Sequence, residues 1–150
     1  MKVISTACSM VLLLANPTFA KDGDPATPAE VVKKLYTEHL ANKGPLADAT
    51  AKKSWSTLFG ADLLKALKSG NWGFDPLVFA QDHELKDPVF KEIDRDDSGN
   101  VFVLVTFKNF DQSVRLIVAM KKSGEGYLIE NIVEPATGID LINNLSNGEE

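Results

Sequence analysis

Residues 101–133, with the sequence VFVLVTFKNFDQSVRLIVAMKKSGEGYLIENIV, decide the fold because they contain three runs rich in β-branched and aromatic residues. These runs are 101–108, 113–121 and 127–133, and short polar segments with Asn, Asp, Ser and Gly separate them. This pattern predicts antiparallel strands joined by tight turns. A shorter run, 89–93, precedes them, so we expect a meander of about four strands.

The residues before this meander predict helices. Residues 27–30 (TPAE) have the pattern of a capping box with proline at the first helical position, and apolar residues then recur at helical spacing over 31–40. A second helical region, 51–69, is expected to break at Phe59-Gly60, and residues 138–145 to form a short closing helix. Helices followed by a meander predict an α+β domain, with the N-terminal helices packed on one face of a curved antiparallel sheet of about four strands.

The N-terminus has the three parts of a secretory signal peptide. Lys2 is positively charged, 3–14 is an apolar run shorter than the roughly 20 residues that span a bilayer, and Ala20 ends a small-residue cleavage sequence. Cleavage near Ala20 would deliver a mature chain with no membrane span to the periplasm or the medium, and would remove Cys8, the only cysteine. The expected organisation is signal peptide 1–20, flexible leader 21–27, one domain 28–146 and a tail 147–150.

The chain of 150 residues is acidic, with a formal net charge of −5. Nucleic-acid phosphates and anionic lipids both require clustered Lys and Arg side chains. We therefore expect no nucleic-acid partner. An acidic surface would instead suit a basic face on a partner protein, because charge complementarity sets specificity and association rate.

Several short motifs resemble those of a known family. Asp75-Pro76 is followed by Ala80-Gln81-Asp82, and the strands contain VLVTFKN at 103–109 and YLIENI at 127–132. In these motifs the chain resembles the exported bacterial proteins grouped as domain-of-unknown-function family 3828, over nearly all of residues 28–145. The resemblance implies an NTF2-like or cystatin-like cone in an envelope protein with no settled activity. The chain differs from those relatives that resemble lipoproteins, because it lacks a usable lipidation cysteine.

One segment has the composition of a calcium loop. Asp94, Asp96 and Ser98 alternate and are followed by glycine, as in the first half of such a loop, but Val105 stands where the loop needs a bidentate glutamate. A hairpin turn explains the same composition without a metal, and we favour the turn. His39 and His83 lie too far apart in the sequence to form a metal-binding motif. We expect no cofactor.

Four residues are candidates for proton chemistry. Tyr36 and His39 lie on the inner stripe of the first helix, and Asp75 and Asp82 flank an aromatic stretch. If all four converged on one cavity, they would support a pocket enzyme of the isomerase or hydrolase type. Asp before Pro is also an ordinary turn residue, and a histidine on an apolar face is often a hydrogen-bonded core residue, so the structural interpretation is favoured.

Aromatic residues near the turns are the remaining candidates, as core residues or as a binding patch. They are Trp55, Trp72, Phe74 and Phe79. The export signal and the lack of catalytic motifs favour a non-enzymatic envelope domain that binds a protein partner or a small apolar ligand. One version is a periplasmic immunity protein against a secreted toxin, and the alternative is the pocket enzyme.

Overall fold

The computed structural model describes residues 26–41, 46, 55–69 and 73–146. Its elements, in chain order, are α1 (Pro28–Leu40), α2 (Ala61–Ser69), β1 (Leu85–Arg95), β2 (Asn100–Asn109), β3 (Gln112–Ser123), β4 (Gly126–Glu134), β5 (Ile139–Asp140) and α3 (Leu141–Ser146). The strands form one antiparallel sheet in the order β1-β2-β3-β4-β5. The predicted α+β fold is confirmed, with five strands instead of about four. The predicted signal peptide, most of the leader and the tail lie outside the described residues.

The capping box at the start of α1 is present. The Thr27 side chain accepts a hydrogen bond from the Glu30 N–H at 3.3 Å, and the Glu30 carboxylate accepts one from the Thr27 N–H at 2.8 Å. These two bonds satisfy donors that every helix start leaves unpaired. Because the cap fixes where α1 begins, it also fixes which residues face the sheet, among them the buried Leu35 and Tyr36.

Strand β1 is longer than the sequence predicted, since it begins at Leu85 and the expected strand covered only 89–93. Pro88 has no N–H for the ladder, and this normally excludes a strand interior. Here the pairing with β2 is interrupted between Lys86 and Val89, and Asp87 adopts a φ of 51°. The irregularity lets the chain pass Pro88 without losing the strand on either side.

The predicted break at Phe59-Gly60 is confirmed, because α2 begins at Ala61. Phe59 forms a parallel bridge with Ile129, and the Gly60 N–H donates to the Ile129 carbonyl at 2.8 Å. The Ile129 N–H donates in turn to the Leu58 carbonyl at 2.8 Å, so residues 58–60 are bonded to β4 at this break. The chain therefore lies beside β4 for a short stretch before α2 begins.

The predicted closing helix, 138–145, is only partly correct. Residues 139 and 140 pair with β4 as the short strand β5, and the helix begins at Leu141. An Asp140 carboxylate oxygen accepts the Asn143 N–H at 2.8 Å, which is a cap that starts α3 at this point.

The two faces of the sheet differ in what covers them. The inner face lies against the helices and its side chains are buried: Val101, Val103, Val105, Phe107, Leu116, Val118, Met120, Ile129 and Ile132. Successive residues of a strand point to opposite faces, and directly paired residues share a face. The intervening residues form the outer face, on which no helix packs among the residues described.

Candidate functional site

Two histidines and one carboxylate meet at the end of α1. His39 Nε2 lies 2.6 Å from Asp75 Oδ2, and His83 Nδ1 lies 3.5 Å from the same oxygen. The two imidazole rings stack with their centroids 6.1 Å apart. The side chains of His39 and Asp75 are only 13% and 11% exposed, and that of His83 is 34% exposed. We call these three residues the His-Asp-His cluster.

A tight turn orients the Asp75 carboxylate. Its Oδ1 accepts the Leu77 N–H at 2.8 Å, and the Asp75 backbone carbonyl accepts the Phe79 N–H at 2.8 Å. Phe79 has a φ of 58°, a left-handed conformation that is uncommon for a phenylalanine. With Oδ1 held by the backbone, Oδ2 is left to face the two histidines.

The pKa of Asp75 reflects two opposing causes. Burial raises it, but the His39 hydrogen bond and charge, the Leu77 N–H and the His83 charge together hold this pKa below its ordinary value. The carboxyl group is therefore ionised at neutral pH despite its burial. The cluster presents an anionic oxygen to two imidazoles.

The end of the β2–β3 hairpin holds the backbone around His83. The Asn109 side chain accepts the Glu84 N–H at 2.9 Å and donates to the Asp82 carbonyl at 3.5 Å. The Phe110 N–H also donates to the Glu84 carbonyl, at 3.2 Å. One asparagine side chain thus bonds to both neighbours of His83, and the segment with His83 is fixed beside Asp75.

Tyr36 lies next to the cluster but its hydroxyl is already used. The hydroxyl donates to the Leu77 carbonyl at 2.8 Å, and the side chain is fully buried. Burial, and secondarily the charge of Asp75, raise the pKa of Tyr36 far above its ordinary value. Tyr36 therefore supports the turn that holds Asp75, and its hydroxyl proton is already donated to a backbone carbonyl.

The other sequence candidates lie outside the cluster. Asp82 is exposed. Trp55 is buried against Phe59, while Phe74 and Phe79 are half-buried neighbours with ring centroids 5.8 Å apart. These three aromatic residues pack with the core, whereas Trp72 lies outside the described residues.

The turn between β1 and β2 is held by its own aspartate. One Asp96 oxygen accepts the N–H groups of Ser98 and Asn100, and the other accepts the Asn100 side-chain amide at 2.7 Å. Gly99 takes the positive φ that the turn requires, 81°. Asp94 accepts the Arg95 N–H instead of joining Asp96. The hairpin interpretation explains each of these contacts.

The outer face of the sheet has an apolar centre and a basic border. Its centre comprises half-buried residues: Phe102, Leu104, Ile117, Ala119 and Val133. The exposed border carries four basic residues, Lys91, Lys108, Arg115 and Lys121, and one acidic residue, Asp94, which pairs with Phe102. The pairs Leu104–Ile117, Phe102–Ala119 and Ile117–Val133 are directly opposite in the ladder. The sequence did contain a signal for this surface, since 101–105 is apolar at every position instead of alternating with polar residues.

Nothing in the sequence indicated that His83 would join His39. The two histidines lie on separate segments, and only the Asp75 turn and the Asn109 contact bring them together.

Comparison of the chain with protein-family models, with curated proteins and with solved structures gives no match. None of the described helices is long and apolar enough to cross a membrane.

Proposed function

We propose that this protein is an exported, non-enzymatic domain that binds a protein partner through the outer face of its sheet. The observation that carries the proposal is the apolar centre of that face. It extends over three neighbouring strands of a sheet whose opposite face is buried by helices, and Val89 continues it onto β1 with 57% of its surface exposed. Exposed apolar surface of this extent is typical of an interaction site.

The size of the face suits a protein partner. Strands of about ten residues, at roughly 3.3 Å per residue and about 4.8 Å between strands, give roughly 600 Å² over four strands. Each partner in a standard protein–protein interface buries about 800 Å². The outer face would therefore supply most of one interface, with an apolar centre and a polar border as such interfaces have.

The charges on this face favour one chemistry for the partner. Lys91 pairs with Leu104, and Arg115 lies two residues before Ile117 on the same face. Lys108 lies farther along β2, and the one exposed acid paired with the apolar centre is Asp94, opposite Phe102. The outer face is therefore mainly positive, although the chain as a whole is negative. The basic partner expected from the net charge does not suit this face. A partner with an apolar patch bordered by Asp and Glu fits better, and an immunity protein of this kind would recognise an acidic face of its toxin.

The same structure offers less support for the pocket enzyme. That alternative required Tyr36, His39, Asp75 and Asp82 to converge with free polar groups. His39 and Asp75 do converge, but the Tyr36 hydroxyl is bonded to a backbone carbonyl and Asp82 lies outside the cluster. A binding function needs none of these groups.

The test is capture of partners from the envelope and secreted fractions of the producing cell with three versions of the protein. Ile117→Lys places a charge in the centre of the outer face and should abolish capture of a specific partner. Ile139→Lys is the control, because it makes the same substitution at an isoleucine on β5, outside the apolar centre. A photo-crosslinking residue at position 104 should then form a covalent adduct with the same partner.

Three outcomes would overturn the proposal. The first is equal capture by both lysine variants, which would place the contact elsewhere. The second is a concentration-dependent dimer that Ile117→Lys dissociates, which would make a second copy the occupant. The third is binding to vesicles of phosphatidylglycerol in the absence of protein, which would make the face a lipid-binding surface.

A groove between α1 and β4 favours a second candidate, the binding of a small apolar ligand. Its volume is about 790 Å³, and Val31, Leu35, Leu58 and Leu128 contribute apolar walls. Pockets of this size accommodate molecules of a few hundred daltons. Native mass spectrometry of the purified protein tests this candidate, and a bound mass that is lost in Val31→Glu would support it.

A further inference from the structure

We propose that the His-Asp-His cluster is a binding site for a divalent transition-metal ion of the zinc class. The site is formed by His39, Asp75 and His83, which offer one ligand atom each, all within 4.8 Å of one another. The cluster lies on the helical side of the sheet and shares no residue with the outer face. The inference is therefore independent of the proposed partner-binding function.

The ligand types select the class of metal. Two imidazole nitrogens and one carboxylate oxygen are typical ligands of zinc and of neighbouring divalent metals. Calcium and magnesium prefer a set composed of oxygen atoms alone. Three protein ligands also leave at least one coordination position for water or for another molecule.

The distances require only small movements. Zinc–ligand bonds of about 2.0–2.1 Å place neighbouring ligand atoms about 3.3 Å apart in a tetrahedral site. His83 Nδ1 and Asp75 Oδ2 are already 3.5 Å apart. His39 Nε2 and Asp75 Oδ2 are 2.6 Å apart in a direct hydrogen bond, and this separation must open by less than 1 Å to admit the ion.

The ligands are held in place by their own neighbours. The Leu77 N–H fixes Oδ1 of Asp75, and the Asn109 side chain fixes the backbone on both sides of His83. Interactions of this kind orient the ligands of known metal sites and strengthen binding. The segments of Asp75 and His83 are thus anchored beside His39, which lies in the last turn of α1.

His39 would bind the ion through Nε2, the ring nitrogen that faces Asp75. Its Nδ1 atom is buried and has no hydrogen-bond partner among the described residues. With the ion on Nε2, Nδ1 is the ring nitrogen that carries the proton of the neutral imidazole. His83 is the most exposed member of the cluster, so solvent and ions can reach the site from its side.

The experiment is a titration of the full, untagged chain with Co²⁺, followed by visible absorption, and then with Zn²⁺, followed by calorimetry. We expect one ion per chain and displacement of Co²⁺ by Zn²⁺. His83→Ala and Asp75→Asn should each weaken Zn²⁺ binding at least about tenfold, since loss of even a supporting group costs about 10–100-fold. The chain has only two histidines, so both imidazole signals should shift in NMR spectra when Zn²⁺ is added.

Two variants serve as controls. Asp82→Asn neutralises an exposed carboxylate next to His83, and Cys8→Ser removes the only thiol. Neither should change the affinity for Zn²⁺. If Asp75→Asn fails to fold, His83→Ala still decides, because the His83 side chain is one-third exposed and its loss leaves the core intact. Absence of saturable binding, or equal affinity in wild type and His83→Ala, would overturn the proposal.

Discussion

Replacement of Tyr36 with phenylalanine measures how much the buried hydrogen bond beneath the cluster contributes to stability. The ring packs against Phe90 and Phe107, with centroids 5.5 and 6.4 Å away, and phenylalanine keeps these contacts. Only the 2.8 Å bond to the Leu77 carbonyl is lost. Loss of a partner that leaves a buried polar group unsatisfied costs about 1–3 kcal/mol.

We expect Tyr36→Phe to lower the free energy of unfolding by about 1.5 kcal/mol, near the lower end of that range because phenylalanine is also easier to bury. For a domain of this size the melting temperature should fall by roughly 5 °C. Urea unfolding followed by circular dichroism is the assay, and the slope of the transition should not change, because the surface exposed on unfolding is the same.

Tyr127→Phe is the matched control, because Tyr127 is the only other tyrosine and is half-buried at the start of β4. The Tyr127 hydroxyl hydrogen-bonds to the exposed side chain of Arg95. Because water can replace that bond, the substitution should change the free energy of unfolding by less than about 0.5 kcal/mol. The reasoning would be refuted if Tyr36→Phe were as stable as wild type, or if both variants lost the same amount.

Three further predictions concern the cap and two titrating groups. Thr27→Ala should cost about 1 kcal/mol of stability by removing the capping box, whereas Thr37→Ala, in the exposed middle of α1, should change it by less than about 0.5 kcal/mol in thermal unfolding. The Asn100 side-chain amide, followed by backbone N–H groups, lowers the pKa of Asp96. The contribution of the Asp96 carboxylate to stability should be complete above about pH 3.9, and it should be lost as the pH falls through the lower pKa that Asp96 has in the folded chain. Carbon-detected NMR of Asn100→Ala should show the pKa of Asp96 move back up. The pKa of Tyr36 is raised by burial, so the contribution of Tyr36 to stability should be constant below about pH 10 and decline above it. In the control variant, where Tyr36 is the only tyrosine, phenolate absorbance should appear only when the chain unfolds.

The sheet and the first helix could be predicted because local chemistry determines them. The capping box sets the start of α1, and the apolar runs separated by Gly- and Asn-containing turns set β2, β3 and β4 to within two residues. Strand β1 was underestimated because Pro88 normally ends a strand, and the irregular pairing that accommodates it depends on β2. Strand β5 was missed for a similar reason, since a strand of two residues exists only through its partner β4.

The candidate sites differ in how far the sequence could predict them. His39 and Asp75 were both singled out, but their hydrogen bond joins residues 36 positions apart. His83 depends in addition on Asn109, which contacts its neighbours from the end of β2. No local pattern encodes a contact made by tertiary packing. The apolar outer face, in contrast, has a local signal, because residues 101–105 of β2 are apolar at every position. Only the position of the helices was needed to show which of these residues lie on the uncovered face.

The two proposed sites should act independently, and this can be tested. Ile117 lies on the outer face of β3, where it pairs with Leu104 and Val133. His83 lies beside α1 and contacts Asp75 and His39. Effects at sites without shared partners usually add to within about 0.5 kcal/mol. Ile117→Lys should therefore leave Zn²⁺ affinity unchanged, and His83→Ala should leave partner capture unchanged. If the double variant departs from additivity, the β2–β3 hairpin is the element that couples them, because Asn109 holds His83 at one end of the strand pair that presents Leu104 and Ile117.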